Sequence, residues 1–138
     1  YKGVNSIKRV YEDMLSNLRP NDDYFVFSNT ELWSKDDPEF YLDFSLKRSK
    51  KALNLRIILE DNDAGRKYFQ MKNALAAEIK FLPRGVLIKT NTVVTPYKML
   101  IHQLVKPPIA YVLENKNFIS TQTEMFKLLW NSLPDVKD

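Results

Sequence analysis

Amphipathic helices and short apolar strands alternate through the first half of the chain, and this alternation is the strongest constraint on its fold. The segment 4–18 places apolar residues at helical spacing, and Pro20 lies beyond its end. The apolar runs 24–27 and 55–61 are bounded by turn-forming residues, which predicts two buried strands with a helix between them. Because strand–helix–strand units form right-handed crossovers, this half of the chain predicts a parallel sheet covered by helices.

The second helix is predicted to begin after an acidic loop and to end in a basic segment. We expect a loop at 33–37, with Pro38 in the first helical turn and Asp36 or Asp37 as the N-cap. Asn54 is predicted to take the left-handed position that ends the helix.

The second half of the chain is dominated by strands at hairpin spacing. Asp63 is predicted to cap a third helix at 64–76, and short strands are predicted at "EIKFLP", "GVLIKT", "NTVVT", "KMLIHQL" and "IAYVLEN". A last helix is expected to bury one face, made of Phe118, Gln122, Phe126, Leu129, Trp130 and Leu133. The predicted fold class is α/β, with a mixed sheet that is parallel first and antiparallel later and has helices on its faces.

Composition excludes several kinds of chemistry. The chain has no cysteine, so it has no disulfide, Cys-ligated zinc site or thiol nucleophile. It has three glycines and no Gly-rich phosphate loop, and we expect no cofactor. A formal net charge of +4 among interspersed acidic residues is not by itself typical of nucleic-acid binding. No apolar run approaches the ~18 residues of a membrane span, and we expect a cytoplasmic protein without membrane contact.

The densest basic segment is interpreted as a solvated helix end that balances the helix macrodipole, in preference to a phosphate-binding patch. It consists of Lys47, Arg48, Lys50, Lys51 and Arg56.

The single histidine, His102, lies in a predicted strand. Alternation places Leu100 and Leu104 on its side of the strand and Ile101 on the opposite side. One imidazole offers no metal-ligand spacing, and no serine lies in a nucleophile-elbow context. We interpret His102 as a packed or edge-strand residue that donates one hydrogen bond, and we predict no catalytic residue and no metal site.

Four stretches, in this order along nearly the whole chain, resemble the effector domain of TrmB-like transcriptional regulators. They read "YKGVNSIKRVYEDML", "YFVFSNTELW", "YLDFSLKRSKKALNLRIILEDN" and "PPIAYVLENKNFISTQTEMFKLLWNSLP". The resemblance implies a phospholipase D-like half fold, a homodimer, and DNA contact only through a winged-helix domain outside this chain. The sequence begins at Tyr1 and not at Met, from which we expect it to be part of a longer protein.

Active phospholipase D-like enzymes carry an H-x-K-x-x-x-x-D motif, whose histidine attacks phosphorus. Here His102 is followed at the lysine position by Leu104 and at the aspartate position by Ile109. The resemblance therefore implies a fold of this type without its nucleophilic catalysis.

We predict that residues 1–138 form one non-catalytic domain that senses a small-molecule effector and dimerises. The alternatives left open are a phospholipase D-type phosphodiesterase or nuclease with a degenerate site, and a pure protein-interaction module. Apolar residues are abundant at 93–104, which we favour as the dimer patch. Effector-binding residues are expected where the central strands end. The candidates are Asn29, Thr30, Trp33, Asp61, Asn62 and Lys89.

Overall fold

All the strands belong to one six-stranded mixed sheet in a computed structural model that describes residues 1–137. The strands are β1 (Asp23–Ser28), β2 (Asn54–Leu59), β3 (Glu78–Phe81), β4 (Thr90–Val94), β5 (Met99–Gln103) and β6 (Ile109–Leu113). Their order across the sheet is β3-β2-β1-β4-β5-β6. The first three strands run parallel to one another, and β4, β5 and β6 pair antiparallel with their neighbours. The predicted fold class is confirmed.

Helices cover both faces of this sheet. They are α1 (Val4–Ser16), α2 (Thr30–Lys35), α3 (Pro38–Ser49), α4 (Asp63–Gln70) and α5 (Lys116–Ser132). On one face α1, α3 and α4 bury their apolar residues against alternate strand residues such as Val26 and Ile57. On the other face α5 packs alone, through Phe126 and Trp130, against Phe25 and Ile58. No helix among the described residues is long and apolar enough to span a membrane.

The loop expected at 33–37 is in large part a helix. Asn29 follows β1 in extended backbone. Its side chain caps α2 by accepting a hydrogen bond from the backbone N–H of Leu32, 3.2 Å away. Asp37 then caps α3, as predicted, by accepting from the backbone N–H of Phe40 at 3.0 Å. An N-cap directly after a strand therefore starts a helix that apolar periodicity alone misses.

Three further boundary predictions are wrong. The left-handed residue after α3 is Ala52, with φ of 55°, whereas Asn54 begins β2 and donates to Asp23 at 2.7 Å. The third helix is capped by Asn62 rather than Asp63, and it ends at Gln70, with turns following as far as Ala76.

The segment "GVLIKT" is not a strand, apart from its last residue, Thr90, which begins β4. It forms a loop in which the backbone of Ile88 bonds to the side chains of Asn29 and Glu60. In α5, the predicted buried face is wrong at Phe118, which is 57% exposed; the adjacent Ile119 is buried in its place.

Candidate functional site

The described residues form a groove of about 640 Å³. We call it the α1–α2 groove, because those helices form two of its walls and the segment from β5 to β6 forms the third. It is lined by Val4, Ile7, Lys8, Leu32, Trp33, Asp36, Asp37, His102, Gln103, Leu104, Val105, Lys106, Pro107 and Pro108.

Trp33 occupies the wall that α2 contributes. Its indole lies within a cluster of rings, with centroid distances of 5.0 Å to Tyr11, 5.2 Å to Tyr41 and 5.3 Å to His102. The indole is half-buried, so the groove presents an aromatic surface that neighbouring rings hold in place. Of the six effector-binding candidates chosen from the sequence, Trp33 is the one that lines the groove.

The wall between β5 and β6 is tied down by hydrogen bonds. The Gln103 side-chain amide donates to the backbone carbonyls of Val105, at 3.1 Å, and Pro107, at 2.9 Å. The Lys106–Pro107 peptide bond is cis. The backbone N–H of Gly3 donates to the Pro108 carbonyl at 3.1 Å, which fixes this wall against the start of α1.

The charged groups at the groove are partly paired. Lys8 forms an ion pair with Asp37, and its ammonium lies 5.1 Å from the centroid of the Phe40 ring. The hydrogen bond from Lys8, followed by the one from the Phe40 backbone, holds the pKa of the Asp37 carboxyl below its usual value. Asp36 and Lys106 are exposed at the rim. The groove therefore combines an apolar lining with a small number of charged groups.

His102 is buried at the inner edge of the groove on β5, which lies between β4 and β6 and is not an edge strand. Its Nδ1 lies 2.8 Å from the Tyr11 hydroxyl, and the Asn91 amide donates to that hydroxyl at 2.6 Å. The Tyr11 hydroxyl thus links His102 to Asn91, and the tautomer of the imidazole decides whether Nδ1 donates or accepts. Burial lowers the pKa of His102 to about 4, so the imidazole is neutral at pH 7. The histidine is packed, as predicted, and the direction of its hydrogen bond to Tyr11 stays a prediction.

Two other candidates from the sequence, Asn29 and Asn62, belong to a closed hydrogen-bond network at the ends of β1 and β2. The Asn29 amide donates to the Ile88 carbonyl at 2.9 Å, and the Asn62 amide donates to Asn29 Oδ1 at 3.1 Å. Glu60, which sequence reasoning missed, accepts from the Ile88 backbone at 2.7 Å and from Asn62 at 3.1 Å. The loop that contains Ile88 thus occupies the crevice where a ligand is expected from the strand topology.

The remaining candidates lie apart from the groove. Thr30 is buried and accepts a long hydrogen bond of 3.4 Å from the Tyr41 hydroxyl. Asp61 accepts two hydrogen bonds from Arg66, at 2.8 and 2.9 Å, and these bonds are the main reason that the pKa of its carboxyl is lowered. Lys89 has an exposed side chain, and its backbone carbonyl accepts from Leu104.

Arg48 contradicts the interpretation of the basic segment as solvated. Arg48 is 6% exposed, and its guanidinium donates to the buried Tyr68 hydroxyl at 2.9 Å. The spacing in the sequence could have indicated this burial. Arg48 follows Phe44 by four residues, so it shares the face of α3 that packs on the sheet.

Two observations in the described part of the chain bear on metal binding and on acid–base chemistry. Residues 1–137 contain no group of three or more His, Asp or Glu side chains placed to hold a metal ion. The rings and polar groups that contact His102 belong to Tyr11 and Trp33, and neither is a carboxylate or a lysine.

Comparison with known proteins adds information on the fold. No protein-family model matches the chain, and no curated protein matches it. It is similar to the solved structure of TrmBL2, an archaeal chromatin protein with a novel mode of DNA binding, with a TM-score of 0.67 and 12% identity. It is also similar to polyphosphate kinase from Porphyromonas gingivalis, with a TM-score of 0.64 and 8% identity.

These alignments cover nearly all of this chain but only part of the other proteins. They span 99% of this chain and 53% of TrmBL2, and 96% of this chain and 25% of the kinase. The chain is therefore about half the length of one relative and a quarter of the other. At such low identities the likeness shows a shared α/β fold, which occurs here in proteins with different activities.

Proposed function

We propose that this chain is the non-catalytic, ligand-sensing and dimerising domain of a transcriptional regulator, and that the α1–α2 groove is its effector site. The observation that carries the proposal is the groove itself, whose volume of about 640 Å³ lies within the ordinary range for small-molecule sites. The fold that the chain shares with TrmBL2 supports a regulatory setting. DNA contact belongs to a domain outside this chain.

The chemistry of the lining indicates the class of effector. Leu32, Val105 and Pro108 contribute apolar surface, and the Trp33 indole offers a face on which a ring can stack. The ammonium of Lys8 is already paired with Asp37, so a strongly anionic ligand would have to displace an existing ion pair. A neutral or weakly polar molecule that contains a ring fits this surface best.

The position of α1 suggests how ligand binding is transmitted. Val4, Ile7 and Lys8 line the groove from the first helix of the chain, which is the element nearest to a DNA-binding domain that precedes it. A ligand alters DNA binding only if its affinity differs between two arrangements of that connection. Because a ligand in the groove contacts α1, its affinity can differ between two arrangements of α1 and the DNA-binding domain.

Phosphodiester cleavage, the enzymatic alternative, lacks support at His102. A nucleophilic imidazole needs a free nitrogen that faces the substrate and groups that stabilise the phosphate charge. The Nδ1 atom is occupied by Tyr11, and Leu104 and Ile109 stand where the motif places lysine and aspartate. We therefore propose a binding function for the residues around this histidine.

The test is ligand binding in a variant whose groove is filled. Val105 lines the groove and Val86 lies outside it, and the two side chains are similarly exposed, at 39% and 42%. Val105→Trp and Val86→Trp are therefore matched variants. The probes are a panel of neutral sugars, nucleosides and aromatic metabolites, and the measurement is the thermal midpoint.

A compound that binds in the groove raises the midpoint of the wild type and of Val86→Trp, but not that of Val105→Trp. In a Trp130→Phe background, Trp33 is the one remaining tryptophan, and its fluorescence reports stacking directly. A midpoint shift that is equal in both valine variants, with unchanged Trp33 fluorescence, contradicts the groove as the effector site.

A further inference from the structure

A second cavity lies between the sheet and the helices α1 to α4, and it has a volume of about 20 Å³. We call it the inner cavity. Trp33 lines both this cavity and the α1–α2 groove, so its side chain belongs to the wall between them. The polar residues that line the inner cavity are Tyr11, Tyr24, Ser28, Tyr41, Ser45, Arg48, Tyr68 and Asn91.

Arg48 places a positive charge at this cavity without a carboxylate to balance it. The charged or titratable groups that act on its guanidinium are the hydroxyls of Tyr68, Tyr24 and Tyr41, and no acidic residue among 1–137 is one of them. Burial raises the pKa values of Tyr24 and Tyr41, so these phenols are neutral at pH 7. The partial negative charge at the carboxyl end of α3 offsets the guanidinium only in part.

The guanidinium is held in place by aromatic rings and a hydroxyl relay. Its Cζ atom lies 5.4 Å from the centroid of the Tyr24 ring and 5.8 Å from that of Phe44. Arg48 donates to the Tyr68 hydroxyl, which donates to Ser45 at 2.8 Å, and Ser45 donates to a backbone carbonyl at 2.8 Å. Both hydroxyl protons of this relay are used, and the relay positions the guanidinium without neutralising its charge.

Three buried polar atoms of residues that line the inner cavity have no hydrogen-bond partner. They are Arg48 Nε, Ser28 Oγ and Asn91 Oδ1. The residues that carry them are 6%, 2% and 1% exposed, so bulk water does not satisfy them. Orphaned polar atoms of this kind are costly, and three around one cavity indicate that something occupies it.

The size of the inner cavity limits the occupant. A volume of about 20 Å³ holds one water-sized species, since about 10–15 Å³ is the minimum for a single water. Phosphate, sulfate and carboxylate ligands are too large for it. A halide ion is only slightly larger than a water molecule, and unlike water it neutralises the charge of Arg48.

We infer that the inner cavity is a binding site for one halide-sized monovalent anion, with Arg48 and Ser28 as its donors. Chloride is the abundant ion of this class. Asn91 becomes a third donor when its amide rotates by 180°, an exchange of nitrogen and oxygen that leaves its shape unchanged. Tyr11 then donates to Asn91 Oδ1 and accepts from His102 Nδ1, which carries the proton of the neutral imidazole. The inference does not depend on the function proposed for the α1–α2 groove.

The first experiment measures the thermal midpoint across a chloride series at constant ionic strength, with gluconate as the replacing anion because it is too large for the cavity. We expect the wild-type midpoint to rise with chloride, since the ion binds the folded state alone. Arg48→Met abolishes the rise. Arg56→Met retains it, because Arg56 lies outside the cavity and has Glu78 3.8 Å away.

Ser28→Ala provides a second variant in case Arg48→Met fails to fold. Loss of one hydrogen bond to the ion raises the chloride concentration at half-effect by about tenfold or more. Crystals of the wild type soaked in bromide are expected to show an anomalous peak beside Arg48. A chloride response retained by Arg48→Met, an unshifted half-effect in Ser28→Ala, or a bromide map without that peak overturns the inference and assigns the cavity to water.

Discussion

His102 and Tyr11 form the polar contact that joins the α1–α2 groove to the interior. The Tyr11 ring packs at 5.0 Å from Trp33 and at 5.5 Å from Phe44, and its hydroxyl bridges His102 and Asn91. Desolvation raises the pKa of the Tyr11 phenol well above its usual value, so Tyr11 remains a neutral donor and acceptor. In this setting the imidazole is stable only in its neutral form, which has a consequence for the pH dependence of stability.

The free energy of unfolding should fall as the pH is lowered from about 6.5 to about 4. The folded-state pKa of His102 is about 4, whereas the pKa of the same imidazole in the unfolded chain is near its ordinary value of 6.5, so the unfolded state binds more protons in this window. Stability from this group is complete above pH 6.5 and is lost as the pH falls through 4. The shift corresponds to about 3–4 kcal/mol.

Urea unfolding at several pH values in chloride-free buffer measures this effect, and His102→Gln is the variant that removes the titrating group. Nitrogen NMR of the one imidazole in the chain reports its pKa independently and is expected to show a neutral ring at pH 7. An imidazole that titrates near 6.5, or a pH slope that His102→Gln leaves unchanged, contradicts the prediction.

At the scale of the elements, α5 is held at both ends by groups that lie outside it. At its start, Asn115 Oδ1 accepts from the backbone N–H groups of Asn117 and Phe118, at 2.9 and 3.1 Å. At its end, the Lys80 ammonium donates to the backbone carbonyls of Trp130 and Leu133, each at 2.9 Å. Both contacts satisfy backbone groups that a helix leaves unpaired, and the lysine also suits the negative end of the macrodipole.

Asn115→Ala should destabilise the protein by about 1 kcal/mol, the ordinary cost of losing an N-cap side chain. The matched control is Asn117→Ala, which removes the same amide from the first turn of α5 without removing the cap acceptor. Chemical denaturation measures both variants. Equal losses in the two would show that the cap contributes nothing beyond the loss of an exposed asparagine.

The whole molecule covers its sheet unevenly, with four helices on one face and α5 alone on the other. The outer side of α5 exposes Phe118 at 57%, Met125 at 59% and Leu128 at 75%. These residues are spaced so that they share one stripe along the helix. By contrast, the stretch 93–104, which the sequence favours as the dimer patch, has Val93, Met99 and Leu100 buried in the core. We therefore propose the α5 stripe as the homodimer surface.

Leu128→Glu should convert a dimer that pairs through α5 into a monomer. In an isologous dimer the substitution acts twice, and burial of the new carboxylates should weaken association by about a hundredfold or more. Leu87→Glu is the control, because Leu87 is similarly exposed, at 72%, but lies outside α5. Sedimentation equilibrium measures the outcome. A wild-type protein that is monomeric, or a Leu128→Glu protein that dimerises like the wild type, contradicts the α5 surface.

Some residues of the site could be predicted from the sequence and others could not. Trp33 is identifiable because it closely follows a predicted strand, where ligands often bind. Its partners His102 and Pro108 come from the far end of the chain, and no local pattern connects them to α2. Asn29 and Asn62 follow strands in the same way, yet the loop that contains Ile88 occupies that edge. Position after a strand predicts proximity to a crevice, but not whether the crevice is open.

The sequence by itself determined the class of the sheet, the approximate positions of most helices and strands, and the absence of cysteine chemistry. Local forces are sufficient for these features, because apolar periodicity and capping residues act within a few positions along the chain. Only the tertiary structure decided that Arg48 is buried, that His102 shares a hydrogen bond with Tyr11, and that the groove lies beside α1. Each of these depends on contacts between distant segments, and burial is a property of the whole packing and not of any one segment.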